Sequence, residues 1–258
     1  MGFEKKDKIF NIELNKIYCE EVETFLPLIP SGVAGLIIAD PPFNKNKDYG
    51  EGYDDNKVLE DYYLFCETWI KEGFRILKDT GSFYIYINSR HLGRLQSIGS
   101  KYGIWQNTII WHYTNPTPDL KRFPKTWGGF LFFSKTDNFF FSPYSESVPT
   151  LVSGRRRMTE GESRLYDVWW DISKLVPGYL AQKECICNSK GERIFWYQLP
   201  EKLIERIIRC SSETGELILD IFSHSGTSSA IACRLSRNYL AVERNKYFCE
   251  EIEKRVKR

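Results

Sequence analysis

An apolar run that ends in an acid and two prolines constrains this chain more than any other stretch. Leu36–Ala39 is uniformly apolar and is followed at once by Asp40, Pro41, Pro42 and Phe43. Because proline has no N–H to donate and holds φ at about −65°, the strand has to stop at Asp40, and the turn after it is stiff. Ligands of open α/β sheets bind at the carboxyl ends of strands. The run therefore predicts a strand that presents an acid and a ring to a ligand, although an ordinary strand-to-loop turn fits these residues equally well.

Hydrophobic periodicity predicts a parallel α/β sheet around this strand. Apolar residues recur at helical spacing from Val58 to Leu77, and Lys78–Gly81 is expected to end that helix. Residues 1–15 are charged and predict a loosely held arm. Further strands are predicted at Asn15–Cys19, Ser82–Ile87, Ile104–Tyr113 and Gly129–Ser134, with a shorter helix at His91–Lys101. Strands that alternate with helices on this scale are typical of parallel sheets.

Length and charge bound the class of protein. The 258 residues fit one large α/β domain or one domain with an insertion, and the net charge of +2 neither demands nor excludes a polyanionic partner. The seven cysteines include no CxxC pair, and the N-terminus does not resemble a signal peptide, so a cytoplasmic protein with reduced thiols is expected. No apolar run approaches the roughly 18 residues of a membrane span. No cluster with metal-ligand spacing is present, so no metal is expected.

The middle of the chain carries basic residues among aromatic ones. Residues 114–197 show little periodicity, and basic clusters lie at Lys121–Lys125, which includes Arg122, and at Arg155, Arg156 and Arg157. Such patterns suit phosphate contacts and stacking on nucleic-acid bases, although a solvated charge run explains the three arginines equally well. The polar loop 44–56, which includes Lys45 and Lys47, follows the candidate site directly and is expected to act as a lid.

The last sixty residues predict a βαβ unit with a ligand-binding turn. A helix is expected to start at Pro200, and a strand at Glu216–Asp220 leads through a turn of small residues into a helix that continues to Leu235. The next strand ends at Glu243, 23 residues after Asp220, which is about where nucleoside-binding folds place a ribose-binding acid. The helix N-terminus after the turn favours a carboxylate or phosphate. Without GxGxxG, a dinucleotide and an NAD-dependent oxidoreductase are disfavoured.

Two motifs in their order resemble a known family. Asp40–Phe43 resembles the (D/N/S)PP(Y/F) motif of S-adenosylmethionine-dependent amino-methyltransferases that act on DNA bases, and Asp220–Thr227 resembles their DPFxGSGT motif. The catalytic motif comes first, as in the permuted beta class. The family pattern differs at Ile221, where it has proline, and at His224, where it has glycine. The resemblance implies a Rossmann-like methyltransferase fold: a mostly parallel twisted sheet with helices on both faces. It also implies one domain over residues 1–258, with an irregular target-recognition region inserted at 135–195.

The resemblance also assigns roles to residues. Asp40 and the carbonyl of Pro41 would accept the two hydrogens of an exocyclic base amine, Pro42 would stiffen the turn, and Phe43 would stack on a base flipped from the duplex. The cofactor would be S-adenosylmethionine. The residues expected to bind it are Glu21, Asp40, Gln198, Asp220, Phe222, Ser223, Ser225, Gly226, Thr227 and Glu243. The residues expected to bind double-stranded DNA are Lys45, Lys47, Lys121, Arg122, Arg155, Arg156 and Arg157.

Adenine N6 is the favoured target, because the cytosine-N4 members more often begin the catalytic motif with serine. The alternatives are a cytosine-N4 enzyme and a nucleic-acid-binding protein that has lost catalysis, which the altered turn at His224 would allow. The expected partner is a cognate restriction endonuclease, and the protein is expected to form a homodimer. No membrane association is expected.

Overall fold

A computed structural model describes most of the chain. The described residues are 8–9, 12–47, 53, 55–113, 120–121, 123–142, 145–146, 149–152, 155–158, 163–175 and 184–257. Of the short strands at 8–9 and between 145 and 164, only the backbone is described. No helix in these ranges is both long and apolar enough to cross a bilayer.

Fourteen strands and six helices make up the described part of the chain. The strands are β1 (Lys8–Ile9), β2 (Ile12–Glu13), β3 (Lys16–Cys19), β4 (Ala34–Ala39), β5 (Leu77–Ile87), β6 (Ile104–His112), β7 (Trp127–Ser134), β8 (Ser145–Glu146), β9 (Pro149–Val152), β10 (Arg155–Met158), β11 (Ser163–Arg164), β12 (Val168–Trp169), β13 (Leu217–Asp220) and β14 (Asn238–Glu243). The helices are α1 (Val22–Phe25), α2 (Leu59–Ile76), α3 (Leu92–Gly99), α4 (Glu201–Ser211), α5 (Thr227–Arg234) and α6 (Lys246–Val256), and a 3-10 turn spans Leu26–Leu28.

Eight of the strands form one sheet in the order β12-β6-β7-β5-β4-β13-β14-β3. Neighbouring strands are parallel except at β7, which runs antiparallel to both β5 and β6. The mostly parallel Rossmann-like sheet expected from the sequence is therefore confirmed. β4 lies at its centre, and all six of its residues are buried.

Helices cover both faces of the sheet, so the core has two layers. Ile37 on β4 packs into the cluster that α1, α2 and α3 cover, whereas its neighbours Leu36 and Ile38 pack into the cluster under α4, α5 and α6. Successive residues of a strand point to opposite faces. A strand in this position has to be apolar on both sides, which explains the uninterrupted apolar run of β4.

Several element ends differ from the sequence prediction by one or two residues, and three further differences concern local structure. Lys78–Gly81 lies inside β5, because Leu77 pairs with Ala34 on β4 and the last carbonyls of α2 accept N–H groups from Gly32 and Val33. α4 begins at Glu201, one residue later than expected, and Pro200 stands just before it as the N-cap residue. Part of the N-terminal arm is ordered, since β1 and β2 pair antiparallel.

A buried ion pair joins the C-terminal half to the irregular region before it. The guanidinium of Arg206 on α4 is fully buried and contacts the carboxylate of Asp171 at 2.5 Å, with the Trp169 ring beside it. Asp171 follows β12, which extends the main sheet at the edge of β6. The proposed inserted region 135–195 therefore adds a strand to the sheet and a counter-charge to its core.

Candidate active site

Two acids from neighbouring strands meet at the carboxyl edge of the sheet. Asp220 pairs with Ile38 across the β13–β4 ladder, so Asp40 lies next to it, just past the end of β4. Burial, together with the charge of Asp220, raises the pKa of Asp40 to about 8. Burial also raises the pKa of Asp220 to about 7, although a hydrogen bond from Ser228 opposes the change. The site therefore holds two carboxyls that would be stabilised as anions by a nearby positive charge.

Side chains from α2 and the start of α3 hold the turn after Asp40. The buried Tyr62 hydroxyl donates to the carbonyl of Pro42 at 2.9 Å, and His91 Nε2 lies 3.0 Å from the carbonyl of Phe43. Because a carbonyl only accepts, Nε2 carries the hydrogen, and Nδ1 then accepts from the Tyr63 hydroxyl at 3.1 Å. Burial lowers the pKa of His91, which favours this neutral ring. Neither bond uses the carbonyl of Pro41.

A buried carboxylate closes the loop that follows. Asp55 accepts hydrogen bonds from the backbone N–H groups of Asn44, Lys45 and Lys47 at 2.8 to 2.9 Å. The Asn44 side chain bonds the backbone of Lys57 in both directions. The two ends of the expected lid, loop 44–56, are thus fastened together, while residues 48–52 and 54 lie outside the described part. Whether the loop closes over a ligand stays a prediction.

A cleft of about 940 Å³ opens above the two acids. Many of the residues predicted from the sequence line it, namely Glu21, Asp40, Pro41, Pro42, Phe43, Lys45, Lys47, Gln198, Phe222 and Glu243. Other predicted cofactor residues are buried behind the described lining, namely Asp220, Ser223, Ser225, Gly226 and Thr227. Their contribution to a ligand site would come from backbone groups and from supporting the turn.

Aromatic rings form one wall of the cleft beside Asp40. The ring centroids of Phe43 and Tyr86 are 5.9 Å apart, those of Tyr86 and Trp111 are 6.5 Å apart, and those of Trp111 and Tyr113 are 5.3 Å apart. A Cβ at Gly128 would lie 2.2 Å from the Tyr86 hydroxyl, so glycine is needed there to admit the Tyr86 side chain. A flat group would find stacking partners on this wall.

The turn after β13 is shaped by two left-handed residues. His224 has φ 46° and Gly226 has φ 68°, and a Cβ at Gly226 would lie 2.3 Å from Ile252. The His224 ring packs against Phe195 and Phe248 at centroid distances of 5.2 and 5.4 Å. Burial, with the charge of Arg193, lowers the pKa of His224 to about 4, so its ring is neutral at physiological pH. Packing thus offsets the conformational cost of a non-glycine residue at this position.

Glu243 at the end of β14 organises the same turn. One carboxylate oxygen accepts the N–H of His224 and the other accepts the N–H of Asn245, each at 2.8 Å. A carboxylate has about four lone-pair positions, so these backbone bonds do not use up its capacity to accept. The acid therefore positions backbone groups and still presents acceptors to the cleft that it lines.

These residues fit S-adenosylmethionine. Glu243 can accept hydrogen bonds from ribose hydroxyls, and the N-terminus of α5 lies after Gly226. The partly buried carboxyl of Asp40 and the buried carboxyl of Asp220 would be stabilised as anions by the positive charges of the methionine portion. The acceptor oxygens of Glu243 and the two neighbouring carboxyls thus suit a nucleoside that also carries a cationic group.

The residues predicted to bind DNA are only partly placed. Lys45 and Lys47 line the cleft, and Lys121 is exposed outside its described lining. Arg122 lies outside the described residues. Arg155–Arg157 form β10, paired with β9, and only their backbone is described. Their role in DNA binding stays a prediction.

Several site residues were missed by the sequence analysis. His91 and Tyr63 carry no motif, and their role depends on α2 and α3 meeting behind the turn after Asp40. Tyr86 and Trp111 lie near the carboxyl ends of β5 and β6, where their rings could have been picked out as candidates. Lys174 lies in an irregular segment and gave no signal.

Comparison with known proteins identifies relatives of this chain. A protein-family model described as "DNA methylase", of the N6/N4 methyltransferase type, matches residues 34–254. Type II methyltransferase M.HinfI of Haemophilus influenzae is 31% identical over 261 residues, which cover 95% of this chain and 68% of the relative.

Solved structures share the fold. The M1.HpyAVI–SAM complex has a TM-score of 0.65 at 18% identity and matches 93% of this chain and 98% of its own. The PvuII DNA methyltransferase, described as cytosine-N4-specific, has a TM-score of 0.64 at 22% identity and matches 93% of this chain and 85% of its own. At these identities the likeness supports the fold alone.

Proposed function

This chain belongs to the family of S-adenosylmethionine-dependent DNA amino-methyltransferases, and from that premise we propose that it methylates adenine N6 at a specific sequence of double-stranded DNA. The observation that carries the proposal is the placement of Asp40 between the aromatic wall and Asp220. The catalytic motif supports adenine over cytosine, because it begins with aspartate and the cytosine-N4 members more often have serine.

The residues around Asp40 are arranged to bind an exocyclic amine. The carboxylate of Asp40 and the carbonyl of Pro41 accept hydrogen bonds from its two N–H groups. These bonds favour a pyramidal nitrogen whose lone pair points out of the plane of the base. Tyr62 and His91 keep the turn rigid, so little reorganisation is needed when the base enters. Phe43 and the aromatic wall hold the ring of a base extruded from the duplex.

Two groups of residues hold the cofactor in this proposal. Glu243 binds the ribose, and the N–H groups that open α5 face the methionine carboxylate. Glu21, Gln198 and Phe222 complete the lining at that end of the cleft. S-adenosylmethionine supplies a methyl group bonded to a positively charged sulfur. Asp40 also lies where it can take up the proton that the amine loses.

Nucleoside analysis tests the reaction and the target base together. The protein is incubated with labelled S-adenosylmethionine and mixed-sequence duplex DNA, which is then digested to nucleosides and analysed by mass. N6-methyladenine is the expected product. N4-methylcytosine would overturn the choice of base and leave the enzyme class intact. No labelled nucleoside, with the DNA still bound, would favour the non-catalytic binding protein.

Two partners belong to the same proposal. A cognate restriction endonuclease would recognise the sequence that this protein protects, and the protein would act as a homodimer. Sedimentation of the protein with and without DNA measures the assembly. Protection of methylated DNA from cleavage by a nuclease encoded beside this protein would identify the partner.

A further inference from the structure

Three lysines from distant parts of the chain meet at the rim of the cleft. Lys45 follows the catalytic turn, Lys125 precedes β7 and Lys174 follows β12, and all three line the cleft. Each ammonium lies over an aromatic ring: Lys45 is 5.7 Å from Phe43, Lys125 is 5.7 Å from Trp127, and Lys174 is 4.5 Å from Tyr113. Phe43 and Tyr113 belong to the aromatic wall, and the Tyr113 hydroxyl donates to the Trp127 carbonyl at 3.3 Å, so all three lysines lie at or beside the wall that receives the base in the proposed function.

The positive charge at this rim is not neutralised by the described residues. None of the ion pairs formed among them includes Lys45, Lys125 or Lys174. Lys125 Nζ donates to the side-chain oxygen of the buried Asn88 at 3.2 Å. Because this amide carries no charge, it does not neutralise the lysine. Asp55 is the acid near Lys45: its charge acts on Lys45 from a distance without forming an ion pair, and its oxygens accept three backbone N–H groups.

The lysines also affect one another. Burial, together with the charges of Lys45 and Lys174, lowers the pKa of Lys125 to about 8. Burial and the nearby charges of Lys47 and Arg90 lower the pKa of Lys45. Like charges held this close destabilise one another, and a bound anion would remove that penalty.

Charge is divided between the two ends of the cleft. Glu20, Glu21, Glu23 and Glu243 belong to its lining, and all four follow or end β3 and β14, the strands at one edge of the sheet. Arg244 lies among them and pairs with Glu21 at 2.9 Å, so the acids outnumber the basic residue at this end. The three lysines instead surround Phe43 and Tyr113, beside β5, β6 and β7. The acidic end suits a cationic cofactor and the basic end suits a polyanion.

We propose that Lys45, Lys125 and Lys174 form a binding site for the backbone phosphates of the DNA strand that carries the target base. The inference rests on the proposed function, because it takes the aromatic wall as the place of the extruded base. A base in that position has its sugar and flanking phosphates at the rim, where the lysines lie. Contacts between the lysines and these phosphates help to offset the cost of unstacking the base.

The salt dependence of DNA binding tests the site. Affinity for a mixed-sequence duplex of about 24 base pairs is measured without cofactor over a range of salt concentrations, for the native protein and for the variant Lys45→Gln/Lys125→Gln/Lys174→Gln. Each lost phosphate contact should reduce the slope of log affinity against log salt by about 0.9. A variant with an unreduced slope would overturn the proposal.

A matched control separates the rim from net charge. Lys71, Lys254 and Lys257 are exposed and do not belong to the described lining of the cleft. Changing these three to glutamine removes the same charge and should leave most of the slope intact. An equal loss of slope in both variants would overturn the site. Melting curves check folding, and relief of the repulsion among the rim lysines should leave the rim variant at least as stable as the native protein.

The number of protons taken up on DNA binding tests Lys125 by a single substitution. Near pH 8.5 a large share of Lys125 is neutral in the free protein, so phosphate binding should take up protons, measured by calorimetry in buffers of different ionisation enthalpy. Lys125→Arg should keep the affinity and abolish much of the uptake, because arginine stays charged. Equal uptake in both proteins would overturn the role of Lys125.

The binding experiments and the methylation assay can refute the phosphate site and the proposed reaction independently of each other. Methylation with an unreduced salt slope removes the phosphate site and leaves the enzyme. A reduced slope without any methylation supports the phosphate site and removes the proposed reaction.

Discussion

Asp40 combines a fixed backbone, an adjacent acid and an aromatic wall in one position. Its variant Asp40→Ala should reduce methyl transfer by about a hundredfold to a thousandfold or more, because the acceptor of the amine hydrogens is lost. Cofactor affinity should stay within a few-fold, since the proposed contacts of the cofactor lie mainly around the turn after β13. Methyl transfer to DNA and calorimetric titration of the cofactor measure the two effects. An equal loss of both would show that the amine site and the cofactor site are not separate.

Glu243 has two tasks that one substitution can distinguish. Glu243→Gln exchanges an acceptor for a donor, so a ribose hydroxyl loses its charge-assisted bond at a cost of about 1.5–3 kcal/mol. Cofactor affinity should fall by roughly tenfold to a hundredfold. DNA affinity measured without cofactor should stay unchanged. Calorimetric titration of the variant gives the cofactor affinity.

The same variant should lower the melting temperature, because Glu243 also accepts the N–H groups of His224 and Asn245. α6 keeps its own cap, since Asn245 accepts the N–H of Phe248. A lower melting temperature with unchanged cofactor affinity would limit Glu243 to organising the turn.

At the scale of elements, the loop after β4 depends on one carboxylate. Asp55→Asn leaves one oxygen to accept from Asn44, Lys45 and Lys47, so at least one buried N–H loses its partner. The free energy of local opening should fall by about 1–3 kcal/mol. Hydrogen exchange of these three amides measures it, and the rate of methylation should fall with it.

The exposed acid Asp61, in the first turn of α2, offers the matched control for this loop. Asp61→Asn removes the same charge and should leave the exchange rates unchanged. Exchange that is equally fast in the native protein and in Asp55→Asn would contradict the role of the clamp.

At the scale of the whole molecule, the buried acids make stability depend on pH. Asp40 has an ordinary pKa of 3.8 and a pKa of about 8 in the folded chain. Between these values the folded chain binds a proton that the unfolded chain has lost, so the free energy of unfolding should fall as the pH rises. His224 acts in the opposite direction between pH 4 and 6.5.

Melting curves between pH 6.5 and 8, compared between the native protein and Asp40→Asn, therefore test the proton on Asp40. The native protein without cofactor should lose stability across this window, and Asp40→Asn should lose less, because its amide does not titrate. Parallel curves for the two proteins would show that Asp40 does not keep its proton in the folded state.

Local patterns in the sequence were enough to predict a mostly parallel sheet and the turns after Asp40 and Asp220. The apolar run before Asp40 and the small-residue turn after Asp220 each contain their own signal, and their positions were correct. Lys78–Gly81 resembled a helix end, yet Leu77 and Ser82 on either side of them pair with β4, so they form an irregular part of β5. His91 and Lys174 act through contacts with residues far away in sequence, which no local pattern records.

The central pairing of β4 with β13 has a consequence for the making of this protein. Ile37 lies beside Leu219, about 180 residues later in the chain. A ribosome that adds 5–20 residues per second needs roughly 10–40 s to supply that partner. Throughout this interval one side of an apolar strand has no neighbour, and such an edge readily pairs with other chains. Slower synthesis would lengthen the exposure, so the yield of active protein should depend on chaperones and on the rate of translation as well as on the final stability.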